Sequence, residues 1–150
     1  MIKRIYQLHS LKELALFTKN TLKYLSDYHV ITLKGDLGSG KTAFTKKLGA
    51  ALGYKKRIVS PSFVLMKLYK LPKNKFSYKY LCHADFYRFA PSSFSGLTEY
   101  INNKKVLTVI EWPEKIKKLP PKRLELTFTL MKNDARKITL LPKSGKKKRA

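Results

Sequence analysis

The stretch His29-Val30-Ile31-Thr32-Leu33-Lys34-Gly35-Asp36-Leu37-Gly38-Ser39-Gly40-Lys41-Thr42 decides the fold. Residues 29–34 are short, β-branched and apolar, and predict a buried strand. Residues 35–42 match G-x-x-x-x-G-K-[ST], a loop whose glycines let backbone N–H groups turn inward around phosphate oxygens. Downstream, Phe44, Leu48, Ala51 and Leu52 mark a helix that Gly53 can close. The loop therefore sits between a strand and the N-terminus of a helix, where free N–H groups favour an anion. In that setting Lys41 reaches the β- and γ-phosphates of a nucleotide and the Thr42 hydroxyl ligates Mg²⁺. The competing reading, a glycine-rich turn that binds nothing, does not account for the flanking strand and helix.

Nucleotide chemistry next requires an acid near the metal. Val106 to Ile110 is an apolar strand that stops at Glu111-Trp112-Pro113, the form of a Walker B strand. A carboxylate at its end holds Mg²⁺ through water or orients an attacking water. Asp85, at the end of the strand-like Tyr80-Leu81-Cys82-His83-Ala84, is the second candidate; the alternative for it is a turn or cap. Lys41, Asp85 and Glu111 are thus the candidate catalytic residues. Ser62, in Ser60-Pro61-Ser62, either senses the γ-phosphate or belongs to a plain turn. Arg88 either stabilises phosphate charge or pairs with an acid, and Trp112 reads as a core or interface ring. No zinc-type His/Cys cluster, nucleophile elbow or G-x-G-x-x-G occurs.

Ser10-Leu11-Lys12-Glu13 has capping-box spacing and opens a predicted helix with Leu11, Leu14, Thr18, Leu22 and Leu25 on one face. Arg57-Ile58-Val59 predicts a short strand. The stretches 63–71 and 76–82 flank a hairpin turn at Pro72-Lys73-Asn74-Lys75. Pro91-Ser92-Ser93 opens a short helix that Asn102-Asn103 breaks. Leu124 to Leu130 and Lys137 to Leu141 pair across Asn133-Asp134. Strands interleaved with helices point to an α/β sheet with an antiparallel extension. We therefore expect a P-loop NTPase-type three-layer fold: a mixed, mostly parallel central sheet with antiparallel strands toward the C-terminus. It forms one domain over residues 1–141, with a basic flexible tail at 142–150.

The chain has 150 residues, 33 of them Lys or Arg against 9 Asp or Glu, a formal net charge of +24. Hydrophobic residues at 43% are enough for a core and argue against wholesale disorder. No apolar run approaches the ~20 residues of a membrane helix, so no membrane partner is expected. Charge interrupts the N-terminus before a signal-type apolar stretch can form, and the single Cys82 suits a reducing compartment, so the expected location is cytoplasmic. The cationic excess is spread along the chain, which fits a Lys-rich surface with a salt-sensitive attraction to polyanions.

Taken in order, GDLGSGKT, SPSF, HADFYR, GLTEY and IEWPE resemble the TsaE (YjeE) family of small bacterial ATPases, over about Ile5 to Leu141. The resemblance implies Mg²⁺-dependent ATP hydrolysis, slow alone and activated by partners. It also implies support for the N6-threonylcarbamoyl modification of tRNA adenosine 37 with TsaB- and TsaD-like proteins. ATP contacts would come from Asp36, Leu37, Gly38, Ser39, Gly40, Lys41, Thr42 and Ala43, with Arg136 near the nucleotide. Mg²⁺ contacts would come from Thr42 and Glu111, with Asp85 a further acid at the site. The tRNA is met indirectly or by weak electrostatic contact. Two departures stand out: Ala43 replaces a second Thr after GKT, and Ser62 replaces the Thr of SPTF. The rivals are a small-molecule kinase on the same loop, and an RNA-binding module, suggested by the aromatic–Lys mixture at Lys73 to Tyr80, whose nucleotide site is a switch.

Overall fold

In the computed structural model the described residues are 2–61, 63–89 and 95–145. The apolar strand that precedes the glycine-rich loop, β2 (Val30–Lys34), lies at the centre of a seven-stranded sheet. Around it are β1 (Arg4–Leu8), β3 (Met66–Lys70), β4 (Tyr80–Asp85), β5 (Val106–Glu111), β6 (Lys122–Leu130) and β7 (Arg136–Ser144). The helices are α1 (Leu11–Thr21), α2 (Lys41–Ala51) and α3 (Ser95–Ile101).

The strand order is β1-β7-β6-β2-β5-β4-β3. β6, β2, β5 and β4 run parallel, while β7 and β3 are antiparallel to their neighbours. A strand buried on both faces reads as an unbroken apolar run, and β5 (VLTVIE) is buried at every position. Its side chains alternate between two clusters. Leu107 and Val109 face Phe17, Phe44 and Leu48 of α1 and α2, whereas Val106 and Ile110 face Leu97, near the start of α3. The three-layer, mostly parallel α/β architecture predicted from the sequence is the one observed.

Phe44 of α2 is fully buried beside Phe17 and Phe128, at ring-centroid distances of 6.2 and 6.0 Å. This aromatic packing presses the loop helix against the sheet and fixes where its N-terminus points.

Ser10 caps α1, its Oγ accepting from the Glu13 N–H at 3.1 Å. The Glu13 carboxylate accepts from the His9 N–H, one residue upstream of the usual capping-box partner. Ser10→Ala should cost about 1 kcal/mol, read as a lower urea midpoint at unchanged slope.

Three local expectations are corrected, and one strand is added. Leu11 is 66% exposed; Leu14 and Thr18 do lie on the buried face of α1, where Phe17 and Thr21 join them. Residues 57–59 form no strand, because the Val59 N–H and C=O both bond the Tyr69 hydroxyl, at 3.3 and 3.2 Å. β7 continues through Pro142, Lys143 and Ser144, so the expected tail boundary at 142 falls inside the sheet; residues 146–150 lie outside the described residues. The strand β1 has no counterpart in the sequence reading: it alternates too weakly, and pairing with β7 is what orders it. The expected opening of the short helix at 91–93 also lies outside the described residues.

Candidate functional site

The loop Gly35–Thr42 leaves the C-terminal end of β2 and turns directly into α2. Two of its glycines are there for backbone reasons. Gly35 has φ +153°, and a Cβ on it would lie 2.6 Å from the Phe128 carbonyl oxygen. Gly40 precedes α2 in the left-handed region at φ 110°, which aims the first N–H groups of the helix into the loop.

Lys41, 5% exposed, folds back over the loop. Its ammonium donates to the carbonyls of Gly35 and, at 2.9 Å, of Asp36. It also lies 4.7 Å from the centre of the Trp112 ring. Burial pushes the Lys41 pKa below its ordinary value, while the carboxylates of Glu111, Asp85, Glu114 and Asp36 oppose the shift.

β4 and β5 end side by side with Asp85 opposite Glu111 in register, so the two candidate acids share one end of the sheet with the loop. Asp85 is 4% and Glu111 3% exposed. Thr42 Oγ1 donates to Glu111 Oε1 at 3.1 Å, joining the end of the loop to the end of β5. His83 Nε2 lies 2.9 Å from the same oxygen. A carboxylate oxygen accepts, so Nε2 carries the hydrogen. Asp85 Oδ1 accepts from the Tyr87 N–H at 2.9 Å, the turn contact weighed from the sequence.

These residues suit a magnesium nucleotide. Ser39 Oγ, inside the loop, is buried with no hydrogen-bond partner, an orphaned hydroxyl that could donate to a phosphate oxygen. Among the described residues no group of three or more His, Cys, Asp or Glu could hold a metal ion by itself. A hydroxyl with one or two carboxylates is instead the set that Mg²⁺ uses when phosphates and water complete its shell. Thr42 and Glu111 would hold the ion, with Asp85 beside them.

Arg136 reaches the loop from the start of β7. It donates from Nε to the Ser39 carbonyl at 3.2 Å and from Nη2 to the Gly38 carbonyl at 3.3 Å. It braces the loop backbone from behind. Leu8, Leu14, Ala43, Phe128 and Ile138 line an apolar cavity of about 380 Å³ beside Gly40 and Arg136. Ala43, where a hydroxyl was expected, gives this cavity a methyl wall. Arg88 makes no ion pair among the described residues; its guanidinium lies over the Phe63 and Tyr87 rings at 5.0 and 5.9 Å. Ser62 lies outside the described residues. Cys82 is fully buried, and desolvation pushes its thiol pKa up to about 12, which disfavours the thiolate.

Two residues gain roles that sequence reasoning did not assign. Trp112, read as a core or interface ring, is a half-buried lid on Lys41, held by a left-handed backbone at φ 59° between Glu111 and Pro113. His83, read only as a neighbour of Asp85, is fully buried against Glu111, with Nδ1 unpartnered. The signal for His83 was its period-2 offset from Asp85, which places it on one face of β4. If Glu111 holds Mg²⁺, His83→Ala should lower the Mg²⁺ affinity of the nucleotide-bound site about 10-fold, as loss of a group that orients a metal ligand does. Titrating Mg²⁺ against nucleotide binding checks this, and an unchanged Mg²⁺ dependence would detach His83 from the metal.

A family model described as threonylcarbamoyl adenosine biosynthesis protein TsaE matches residues 8–138. The chain is 35% identical over 133 residues to the tRNA threonylcarbamoyladenosine biosynthesis protein TsaE of Bacillus subtilis, covering 85% of this chain and 78% of that protein. It is 34% identical over 137 residues to the protein of the same name from Rickettsia prowazekii, covering 88% of this chain and 90% of that one. Its fold is similar to the crystal structure of YdiB from Bacillus subtilis, with a TM-score of 0.72, 31% identity, and coverage of 93% of this chain and 84% of that chain.

Proposed function

The chain belongs to the TsaE family, and from that premise we propose that it binds and hydrolyses ATP with Mg²⁺ in support of threonylcarbamoyl modification of tRNA adenosine 37. Its place is in tRNA threonylcarbamoyladenosine biosynthesis, the process its relatives are named for. The observation that carries the ATPase reading is the Thr42–Glu111 hydrogen bond, which unites the loop hydroxyl and the strand-end carboxylate at one point.

The loop N–H groups between Asp36 and Ala43 would cradle the phosphates, and the α2 N-terminus would add its partial positive charge. Lys41 would release the Gly35 and Asp36 carbonyls and turn its ammonium to the phosphates, whose charge is a better partner than two carbonyls. Thr42 and Glu111 would hold Mg²⁺, which neutralises charge developing on the transferred phosphoryl group. Asp85, in register with Glu111, would orient water. The apolar cavity beside Ala43 suits the flat face of a purine, with Arg136 keeping the loop backbone in place. Trp112 and Tyr87, whose rings lie 5.0 Å apart, would shield Lys41 from water.

The partners are TsaB- and TsaD-like proteins, which perform the transfer, so hydrolysis here sustains repeated turnover. Purified chain added to a TsaB–TsaD pair should support several rounds of tRNA modification per complex. Equal modification without the chain overturns the reading. A small-molecule kinase would require an arginine over the phosphates, and Arg88 instead covers Phe63 and Tyr87.

A further inference from the structure

The nine acidic residues are distributed more tellingly than the lysines. Residues 37–84 contain eleven Lys or Arg and no Asp or Glu. Asp36, Asp85 and Glu111 lie at the C-terminal ends of β2, β4 and β5, with Glu114 just beyond β5, so four of the nine acids gather at the nucleotide end of the sheet. The opposite rim, where β4, β5 and β6 begin, β3 ends and the β3–β4 turn projects, is cationic.

We propose that this rim binds the phosphate backbone of a base-paired RNA. Three adjoining grooves run along it. One, of about 370 Å³, is lined by Lys70, Lys73, Lys79 and Lys105 and by no acid. It shares Lys70, Leu71 and Pro72 with a second groove that carries Lys55 and Lys56. It shares Tyr78 with a third that carries Lys75, Lys104 and Lys122, with Asp27 its one acid. All nine lysines are exposed, and none makes an ion pair among the described residues. The backbone brings several of them together: the Lys79 N–H donates to the Lys105 carbonyl at 2.8 Å, and the Leu71 N–H to the Lys79 carbonyl at 2.9 Å. Lys75 and Lys122 rest over the Phe76 and Tyr28 rings at 5.2 and 5.6 Å, which limits the freedom of their ammonium groups.

The side chains select among polyanions. Tyr69 and Tyr78 are buried, and the Tyr78 hydroxyl donates to the Leu25 carbonyl at 2.6 Å; Tyr80, 39% exposed on the same groove, is a single ring and not the run of rings on which successive unpaired bases stack. Lysines without bidentate arginines contact phosphates as point charges, independently of base sequence. From β6 across β2, β5 and β4 to β3 the rim spans four strand spacings, about 19 Å, long enough to follow several successive phosphates of one strand. An acidic protein partner would press on an apolar centre such as Leu71, Pro72 and Tyr80, and polyglutamate stands for it in the test; the lysines instead run on through all three grooves, as a phosphate backbone does.

The test uses the full chain, an unmodified tRNA transcript and polyglutamate, with binding measured across a salt series. The choice of tRNA rests on the proposed pathway role. The rim itself is independent of the nucleotide site, and ATP hydrolysis by the same variants reports on that site separately. The triple variant Lys73→Gln, Lys79→Gln, Lys105→Gln should lose at least about 30-fold in tRNA affinity at 0.1 M salt, and its salt slope should fall by about three. Hydrolysis should be unchanged, and the corresponding triple Lys→Arg variant should keep its affinity. A control with the same charge change, Lys12→Gln, Lys19→Gln, Lys132→Gln, should lose less than about 3-fold. Equal losses in the rim and control variants would reduce the surface to diffuse attraction and overturn the proposal. Wild-type tRNA binding by the rim variant would overturn it too, as would loss of polyglutamate binding alone.

Discussion

Lys41→Ala is expected to lower ATP turnover by about 10²–10³-fold, the cost of removing one preorganised positive group from a phosphoryl-transfer site. The side chain is almost wholly buried and touches loop carbonyls, the Trp112 ring and the field of four carboxylates, so no neighbouring lysine can substitute for it. Turnover of the variant, with circular dichroism to show retained fold, decides the matter. Turnover within a few-fold of wild type would remove Lys41 from the mechanism. A pH dependence follows from the same burial. The folded-state pKa of Lys41 is lowered from 10.5, so its charge is lost as pH rises through that lower value. Turnover should therefore decline on the alkaline side before an ordinary lysine would deprotonate. Bound phosphate moves that limb upward, because a nearby anion favours the charged form.

Glu111→Ala is expected to act twice. Removing the carboxylate takes away the proposed Mg²⁺ partner, and turnover should fall by about 10²-fold, the low end of losing one charge-stabilising group. It also strips His83 Nε2 of its partner, leaving a fully buried ring with both nitrogens unpaired. That should lower stability by about 1–3 kcal/mol. Glu111→Gln separates the effects. Its amide oxygen still accepts from His83 and Thr42, so the urea midpoint should return close to wild type while turnover stays low. If both variants unfold at the same midpoint, Glu111 is not what satisfies His83.

The central sheet was legible because β2, β4 and β5 are buried on both faces and leave apolar runs in the sequence, each ending where polar chemistry begins. The loop was legible because its glycines answer a local backbone demand. The convergence of Thr42, Asp85 and Glu111 follows from the same logic, since strands adjacent in a parallel sheet end at one edge. What stayed hidden depends on partners remote in sequence. β1 is held by β7, and Arg136, which only the resemblance placed near the nucleotide, gets there by crossing to Gly38 and Ser39. Trp112 looked like any lone aromatic, because nothing in its neighbours tells that the chain turns left-handed there and sets the ring face against Lys41. Ile58 and Val59 read as strand from β-branching alone, and lost that fate to one tyrosine hydroxyl.

The pairing of β2 with β5 on one side and β6 on the other has a consequence for synthesis on the ribosome. Ile31 pairs with Val109 and with Leu124, so the strand that launches the loop has no lateral neighbour until most of the chain has emerged. Contacts of such long sequence separation form slowly, because the intervening loop must be closed before they stabilise anything. Until then β2 is an apolar ribbon with two open edges, the kind of segment that chaperones shield and that aggregates when they are scarce. A nascent chain thus displays the phosphate-loop residues long before it can grip a phosphate.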